Sequence, residues 1–417
     1  MVLGRSRLNL KIAWEKMMSK NSIPPIKFKT FLNHWSYTEL KEIKDVRDGT
    51  HSSPKYIDNG YPLVTSKNLT DSGLNLNDVS LISESDYDEI NKRSKVEVGD
   101  ILLGLIGTIG KPVLVDSDGF AIKNVGLIKN GGEIQNQFLL QYLKTNLFNK
   151  YIQIEMAGNT QKFLGLETLR NTKVPVPSQD EQFAIGSLFR TLDELLSSYK
   201  DNLANYQSLK TTMLSKMFPK AGETVPEIRL DGFEGEWEIK RADEIFKSVS
   251  EKNKALLPVL SASQIDGMVL RDELGIDIKY DEATLNNYKV VKPGQFVIHL
   301  RSFQGGFALS KIEGITSPAY TIIDFIDKEN SLPAFWNSIL TSRDFIKRLE
   351  TVTYGIRDGK SISFKDFSSL KFVFPEFKEQ QAIGSYFSIL DNLINSHQEK
   401  ISQLETLKKK LLQDMFI

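Results

Sequence analysis

Apolar residues recur at helical spacing in two separate segments of the chain. A seven-residue apolar period is typical of a coiled-coil helix. Pro177 and Pro375 stand just upstream, where a helix is expected to begin. The pattern therefore predicts two helices of about 38 residues, each roughly 57 Å long at 1.5 Å per residue. The residues that form the main apolar row are Ile185, Leu192, Tyr199 and Tyr206 in the first segment and Ile383, Leu390, His397 and Leu404 in the second.

The two helical segments are copies of each other. Residues 174–218 align with residues 372–416 without a gap, so that "EQFAIGSLFRTLDELL" meets "EQQAIGSYFSILDNLI". A fainter match precedes it, in which "IKFKTFLNHW" meets "IRLDGFEGEW". A gapless match of this length is a strong sign of internal duplication. We therefore expect two half-molecules, each a variable globular part followed by a similar helix.

The two long helices are expected to pack against each other. A single helix of this length with one apolar stripe is not stable alone in water. The chain allows a parallel or an antiparallel pair, and an approximate two-fold axis favours the antiparallel one, because a self-complementary patch is then used twice. Asn202 and Lys400 interrupt the apolar rows at the same layer of both copies. We interpret them as a solvated defect, with a register-setting role as the alternative.

The variable parts, residues 36–173 and 238–371, are typical of mixed α and β structure with many turns. Short β-branched runs such as "ILLGLIG" and "QFVIHL" alternate with Gly, Asp and Asn clusters. The predicted fold class is α+β, with two mixed α/β domains, two long antiparallel helices and a pseudo-two-fold internal duplication. The predicted segments are an N-terminal extension (1–23), a first domain (24–173), a central helix (174–220), a second domain (221–371) and a C-terminal helix (372–417).

Composition narrows the functional class. The chain has 417 residues with a formal net charge of zero and no cysteine, which excludes disulfides and thiolate metal sites. No apolar run approaches the roughly 20 residues of a membrane span, so we expect a cytoplasmic protein. The four histidines, His34, His51, His299 and His397, show no metal-ligand spacing, and His397 lies on the helix stripe.

The chain shows no catalytic motif. The stretch "GLIGTIGK" (Gly104–Lys111) departs from a phosphate-binding loop, because Leu105 stands where the first glycine is required and Pro112 replaces the Ser or Thr. A tight β-turn is the better interpretation. We find no G-x-S-x-G and no Asn-Pro-Pro-aromatic quartet of the kind that amino-methyltransferases use. The pattern favours a scaffold with two recognition domains and no catalytic site.

Several stretches resemble one known family. "VPVPSQDEQFAIGSLFRTLDELL" and "FVFPEFKEQQAIGSYFSILDNLI" are similar to the two conserved regions of type I restriction-modification specificity subunits. "PEIRLDGFEGEWE" resembles that family's entry into a target-recognition domain, and "DGTHSSPKY" is similar to a stretch that many such domains carry. The resemblance begins at about Pro24. The first twenty residues do not fit it, and Met17 or Met18 would be a more usual start.

The resemblance implies a function in DNA recognition. Each of two target-recognition domains would read one half of a bipartite duplex target, and the conserved helices would dock two methyltransferase subunits. Those partners would supply S-adenosylmethionine and adenine N6 methylation, and restriction subunits would add ATP- and magnesium-dependent translocation and cleavage. The chain itself would hold no cofactor and no catalytic residue. The alternatives are a nuclease and a non-DNA coiled-coil adaptor with two protein-binding heads.

The DNA-contacting side chains are expected in polar and basic loops at equivalent places of the two halves, because base edges are read by such side chains in the major groove. Each loop is equally compatible with an ordinary solvated surface. Residues 36–173 carry 16 basic and 18 acidic groups, and residues 238–371 carry 19 and 18, so a DNA-binding face must be one-sided. The predicted contacts are Thr50, His51, Thr65, Ser66, Lys67, Asn68, Asn159, Thr160, Gln161 and Lys162, then Ser261, Ser263, Gln264, Arg301, Ser302, Gln304, Tyr354, Arg357 and Lys360.

Overall fold

A computed structural model describes most of the chain in two compact units. Unit 1 comprises residues 1–200 and 399–417, and unit 2 comprises residues 201–398. Each unit therefore contains one globular part, the beginning of one long helical segment and the end of the other. The described residues are 24–156, 163–263, 266–274, 282–299, 306–342, 344–346, 349 and 363–416.

The two longest helices, α6 and α10, have the predicted length. Each contains 38 residues and begins two residues after Pro177 or Pro375. The helices of the first half are α1 (Leu40–Ile43), α2 (Glu84–Ser94), α3 (Asn136–Lys144), α4 (Asn146–Met156), α5 (Leu166–Arg170) and α6 (Gln179–Lys216). Those of the second half are α7 (Ala242–Ile245), α8 (Pro333–Leu340), α9 (Phe364–Ser368) and α10 (Phe377–Asp414).

Short strands build the globular part of unit 1. They are β1 (Ser36–Glu39), β2 (Val46–Asp48), β3 (Tyr56–Ile57), β4 (Tyr61–Val64), β5 (Leu69–Thr70), β6 (Gly73–Leu74), β7 (Ser80–Ile82), β8 (Ile101–Gly104), β9 (Pro112–Leu114), β10 (Ala121–Ile122), β11 (Val125–Ile128) and β12 (Lys173–Val176). Two four-stranded sheets have the orders β2-β11-β8-β9 and β10-β4-β7-β3, and β1-β12 and β5-β6 form two-stranded sheets.

Unit 2 has its own set of strands. They are β13 (Glu238–Arg241), β14 (Phe246–Val249), β15 (Leu260–Ser263), β16 (Gly267–Leu270), β17 (Lys289–Val291), β18 (Phe296–Ile298), β19 (Phe307–Leu309), β20 (Gly314–Thr316), β21 (Thr321–Phe325) and β22 (Lys371–Phe374). The sheet β14-β21-β18-β19 has four strands, and β13-β22, β15-β16 and β17-β20 are pairs.

The internal duplication predicted from the sequence is confirmed by the sheet topology. The order β14-β21-β18-β19 repeats the order β2-β11-β8-β9, all with antiparallel neighbours. The pair β13-β22 likewise repeats the pair β1-β12, which ties the entry of each globular part to its exit. The halves diverge in the remaining strands, which form a four-stranded sheet and one pair in unit 1 but two pairs in unit 2.

The glycine stretch Gly104–Lys111 is a turn, as predicted. It connects β8 to β9, which pair in antiparallel register, and the Gly110 N–H donates to the Gly104 carbonyl over 3.1 Å. Gly107 and Gly110 have φ of 81° and 76°, a region that favours glycine. A Cβ at Gly104 would lie 1.8 Å from the Thr108 carbonyl oxygen, so a side chain cannot be placed there.

Each unit has an aromatic core closed by the end of a long helix. In unit 1, Phe416 lies 5.5 Å from Phe138 and 6.1 Å from Phe189, measured between ring centroids. In unit 2 the equivalent Phe218 lies 5.7 Å from Phe335 and 6.0 Å from Phe387. The repeated Met-Phe ending of the two helical segments thus fills the same place in both cores.

Within each unit the two long helices run antiparallel, as predicted. In unit 1, Lys408 bonds to Asp193 and Lys200 Nζ lies 2.7 Å from Glu405 Oε1, so that residue numbers rise on α6 while they fall on α10. In unit 2, Lys210 bonds to Asp391, and the Tyr206 ring lies 5.2 Å from the His397 ring. The two lysine–aspartate pairs join the same two positions of the repeat.

Among the residues that the structure describes, no helix combines the length and the apolar character of a membrane span.

Candidate nucleic-acid interface

Three loops that are distant in sequence meet in unit 1 at Asn124. The backbone N–H of Asn124 donates to the Thr50 carbonyl over 3.0 Å, and its own carbonyl accepts from Ser66 Oγ over 3.3 Å. Thr50 N–H in turn donates to the Ile122 carbonyl over 3.0 Å. The backbone of Asn124 is left-handed, with a φ of 56°, which asparagine tolerates better than most residues. We call the loops 48–53, 65–68 and 122–124 together the Asn124 cluster.

The side chain of His51 is held on both ring nitrogens. Its Nε2 lies 2.9 Å from Asp48 Oδ2 and its Nδ1 lies 2.8 Å from Asn124 Oδ1. Asp48 is buried at 4% exposure and also accepts from Arg93. A buried carboxylate that accepts from both neighbours is well satisfied, so the row Arg93, Asp48, His51 and Asn124 is a fixed hydrogen-bonded network.

The loop 65–68 owes its shape to internal hydrogen bonds. Thr65 N–H donates to Asn68 Oδ1 over 2.9 Å, and Asn68 Nδ2 donates to the Asp78 carbonyl over 2.8 Å. Ser66 and Asn68 are buried, whereas Lys67 extends outward with its Nζ 3.4 Å from Asp78 Oδ2. Of these four predicted contact residues, Lys67 is therefore the one whose side chain is largely exposed.

Cationic groups stand at the edge of the Asn124 cluster. Lys123 Nζ donates to Ser53 Oγ over 2.6 Å, which places an ammonium group beside the 48–53 loop. The side chain of Arg93 bonds to Asp48 at one end but is 64% exposed. Lysine and arginine in such positions are suited to phosphate oxygens, which fix the register of a protein on duplex DNA.

The predicted contact residues Ser261 and Ser263 of unit 2 lie on strand β15. Ser261 Oγ accepts from Arg271 Nε over 3.0 Å, and Ser263 Oγ accepts from the Asp266 N–H over 3.2 Å. Both side chains are half-buried on the hairpin β15-β16. They take part in local hydrogen bonds, and the structure does not gather them into a network like that of unit 1 among its described residues.

Two titratable groups of unit 2 stand close to Tyr320. Lys289 Nζ donates to the Tyr320 carbonyl over 2.6 Å, and burial lowers the pKa of Lys289. The ring of His299 lies 6.1 Å from the Tyr320 ring, and burial lowers the pKa of His299 below its ordinary value. His299 therefore favours its neutral form at physiological pH.

The remaining predicted contact residues fall outside the described part of the chain and stay predictions. They are Asn159, Thr160, Gln161, Lys162, Gln264, Arg301, Ser302, Gln304, Tyr354, Arg357 and Lys360.

The structure places the predicted helix-packing residues in both units. Tyr206 packs on the core of unit 2, Leu404 packs on that of unit 1, and Tyr199 is half-buried. His397 bonds through Nδ1 to the Leu393 carbonyl over 2.8 Å. The four that belong to the buried cores are Ile185 and Leu192 in unit 1 and Ile383 and Leu390 in unit 2.

A second apolar row on the long helices faces solvent. In unit 1, Leu195 is 42% exposed and Leu407 is 45% exposed. In unit 2, Leu209 is 37% exposed and Leu393 is half-buried. These four positions are equivalent in the two copies, so each unit presents a leucine from each helix that the helix pair leaves uncovered. We call these four residues the exposed leucine row.

Sequence reasoning missed three of the four members of the hydrogen-bonded network around His51. Asp48 and Arg93 were not selected, because an acidic residue and a residue within a helix give no sign of forming a hydrogen-bonded network. Asn124 follows a short strand, and nothing local shows that it contacts His51. The sequence signal that existed was the "DGTH" stretch, which contains Asp48 and His51 but not their partners.

No group of three or more His, Asp or Glu side chains within the described ranges is arranged to hold a metal ion.

Known proteins resemble this chain over most of its length. A profile of the family described as "Type I restriction modification DNA specificity domain" matches residues 33–230 and 234–406. The putative MjaX specificity subunit of a type I restriction enzyme from Methanocaldococcus jannaschii is 23% identical, over 91% of this chain and 92% of its own length. The MjaVIII specificity subunit from the same organism is 22% identical, over 77% of this chain and 79% of its own.

A solved structure shares the fold. The S subunit of a type I restriction-modification system from M. genitalium superposes with a TM-score of 0.61 at 16% identity, covering 95% of this chain and 99% of that one. This similarity supports the fold of two mixed domains and two long helices.

Proposed function

Since this chain belongs to the family of type I restriction-modification DNA specificity proteins, we propose that it reads a bipartite duplex target, with one half-site for each unit. The observation that carries this is the duplicated scaffold with unlike loops. The sheets β2-β11-β8-β9 and β14-β21-β18-β19 have the same strand order. By contrast, β4, which leads into Thr65, pairs with β10 and β7, whereas β15, which carries Ser261, pairs with β16. A common frame with different loop surfaces suits the reading of two different short sequences.

The long helices are the proposed docking surface for methyltransferase subunits. The exposed leucine row occurs in both units at equivalent positions, which supports two equivalent partners. A methyltransferase helix laid along it would bury apolar area that water otherwise contacts. Replacing Leu209 and Leu407 by serine should weaken the complex while Ser substitution of Asn202 and Lys400, which are exposed polar positions of the same helices, should not.

The cofactors of the system are proposed to reside in partner subunits. S-adenosylmethionine would be held by the methyltransferase, and ATP and magnesium by a restriction subunit. The chain would then act by placing those subunits on DNA rather than by chemistry of its own. An isothermal titration of the chain alone with S-adenosylmethionine should give no heat of binding, whereas the assembled complex should bind it.

The 38-residue length of α6 and α10 is proposed to set the number of unread base pairs between the half-sites. Four residues inserted at equivalent places in both helices add about 6 Å, close to two base pairs at about 3.4 Å each. Duplexes selected from a random library should then carry the same half-sites with a spacer about two pairs longer. An unchanged spacer would contradict this.

The central test is binding of the full chain to random duplex DNA, with and without its methyltransferase partner. Selection and sequencing of the bound duplexes should return one bipartite motif. Binding that returns no common motif, or a complex that ignores DNA and retains only protein partners, would favour the duplicated adaptor instead. Binding should weaken steeply with salt, because phosphate contacts release counterions.

A further inference from the structure

We propose that Asn124 is the specificity-determining residue of unit 1 and that His51 and Asp48 position its amide. This inference rests on the proposed DNA-reading function and names the group that performs it. The backbone of Asn124 already joins the loops 48–53 and 65–68, which contain six of the predicted contact residues. Its Cα is therefore fixed at a place where both loops meet.

The amide of Asn124 is held at one end. Because a carboxylate can only accept, His51 Nε2 donates to Asp48. Nδ1 of a neutral ring then accepts from the amide nitrogen, with the amide turned so that its nitrogen rather than its oxygen meets the ring. A protonated ring would donate to the amide oxygen instead. In both cases the ring, 2.8 Å away, fixes one end of the planar amide group.

The other end of that amide has no hydrogen-bond partner among the described residues. Asn124 is half-buried, and its Nδ2 is not among the buried side-chain atoms without a hydrogen-bond partner, so water reaches this end of the amide. An asparagine amide is one of the side chains that match base edges in the major groove. A rigidly held amide with one polar end uncommitted is pre-organised to contact a base, because little side-chain entropy remains to be lost.

The same geometry indicates that His51 does not contact a base itself, although its side chain is exposed. Its side chain is 58% exposed, yet both ring nitrogens already have partners. Reading a base through either nitrogen would break a bond to Asp48 or Asn124. We therefore assign His51 as a positioning residue, with Arg93 and Lys123 supplying phosphate contacts at the edge of the cluster.

The decisive variant is N124G. Glycine adopts a φ of 56° without cost, so the backbone bonds to Thr50 and Ser66 are kept while the amide is removed. The matched control is N253G in unit 2, where asparagine is also left-handed with a φ of 65° and its N–H donates to Asn286. If Asn124 matters only through its backbone hydrogen bonds, N124G should select the same duplexes as the unaltered chain.

The experiment selects duplexes from a random library with the full chain in complex with its methyltransferase partner. N124G should lose discrimination by about 5- to 150-fold at one or more positions of one half-site, the effect of one specific side-chain contact. The other half-site should stay unchanged. N253G should not change the half-site that N124G alters. H51F should relax discrimination at the same positions as N124G by about 2- to 10-fold, which corresponds to the loss of one neutral hydrogen bond.

Unaltered selectivity in N124G, or relaxation of both half-sites equally, overturns the assignment. If N124G fails to assemble, H51F alone decides, and a wild-type motif with H51F also overturns it. Failure of the proposed function is a different result, since the unaltered chain would then return no bipartite motif.

Discussion

The two units place different side-chain pairs on one backbone frame. In unit 1, Lys129 Nζ lies 2.6 Å from Oδ2 of the fully buried Asp100. In unit 2 the equivalent positions hold Asp324 and Gln295, and Gln295 Nε2 donates to Asp324 Oδ2 over 2.9 Å. An ion pair in one unit is thus an amide–carboxylate hydrogen bond in the other.

One hydrogen bond survives this exchange. Asp100 accepts from the Glu97 N–H over 2.8 Å, and Gln295 accepts from the Lys292 N–H over 2.8 Å. Both residues therefore close the same turn before β8 or β18. The turn requires a side-chain acceptor three residues on, which aspartate and glutamine both provide, whereas the charge of the pair is left free to change.

A second comparison concerns the first turns of α6 and α10. Buried Glu379 receives two bonds from Arg229, Nε to Oε1 over 2.8 Å and Nη2 to Oε2 over 2.7 Å. At the equivalent Glu181, Lys27 takes the place of the arginine, and no described residue forms an ion pair with that carboxylate. Burial raises the pKa of Glu181, partly offset by the side chain of Trp35 and by the positive charge of Lys27.

The same position of the repeat therefore holds an ion-paired glutamate in unit 2 and, among the described residues, a glutamate without an ion pair in unit 1. What is identical in both units is the neighbouring glutamine. Gln182 accepts from Gln135 N–H over 2.7 Å and donates to the Pro177 carbonyl over 3.0 Å. Gln380 accepts from Leu332 N–H over 3.1 Å and donates to the Pro375 carbonyl over 3.0 Å. These buried amides join the start of each long helix to its globular part.

The largest effect is expected from R229A. It leaves the carboxylate of Glu379, 1% exposed, buried without its partner, which should cost about 3–5 kcal/mol of unfolding free energy. The matched variant K27A in unit 1 should cost much less, since Lys27 forms no ion pair with Glu181 among the described residues. Urea titrations of both variants by tryptophan fluorescence compare the two. Equal losses would remove the distinction between the units.

Q295D should destabilise unit 2 by about 1–3 kcal/mol at neutral pH, because it sets a second carboxylate against Asp324. The pKa of Asp324 is lowered: burial alone would raise it, and the bonds from Lys328 and Gln295 outweigh that. The loss should shrink as the pH falls, since one of two adjacent carboxyls then takes up a proton. Thermal unfolding at pH 5 and pH 7 measures the difference, and a pH-independent loss would contradict it.

E181Q should stabilise unit 1 at neutral pH, whereas E379Q should destabilise unit 2. The folded-state pKa of Glu181 is raised, so the native state favours the protonated form. The free energy of unfolding therefore falls as the pH rises from the ordinary pKa through the folded-state pKa, because the native state must then hold an ionised, buried carboxylate. Glutamine mimics the protonated form, so the gain should vanish below the ordinary pKa of 4.5. Stability measured against pH tests this. A gain for both variants would show that Arg229 does not compensate Glu379.

The smallest effects are expected at the two equivalent lysine–aspartate pairs between the long helices. D193N and D391N should each cost about 0.2–1 kcal/mol, because both pairs are partly exposed. D193N should cost slightly more, since Lys408 is 19% exposed and Lys210 is 31% exposed. Raising the salt concentration should reduce both losses. A salt-independent loss would indicate a packing effect instead.

Sequence reasoning succeeded for features that recur at a regular spacing or lie within one short stretch of the chain. The seven-residue apolar spacing and the prolines predicted both long helices to within two residues of their observed starts. The gapless repeat predicted that the halves share one topology, and the pairs β1-β12 and β13-β22 show it. Gly104–Lys111 was placed in a turn because its glycines do not match a phosphate loop.

Sequence reasoning was weaker where several loops combine. It selected Thr50, His51 and Ser66 as separate polar loop residues, and it did not connect them to Asn124. It also treated Ser66 and Asn68 as exposed, although the structure buries both. Hydrogen bonds within a loop do not depend on a repeating pattern of apolar residues, so they leave no periodic signal in the sequence.

The amino-acid sequence by itself determined the duplication and the two long helices, and it favoured their antiparallel pairing, because apolar spacing and self-complementarity are properties of the order of residues. Only the tertiary structure decided which polar groups meet. Residues 48 and 124 come together because the antiparallel pairing of β2 with β11 places the end of β2 beside the start of β11, and Arg93 bonds to Asp48 from helix α2. A contact of that kind depends on strand register, which no short stretch of the chain contains.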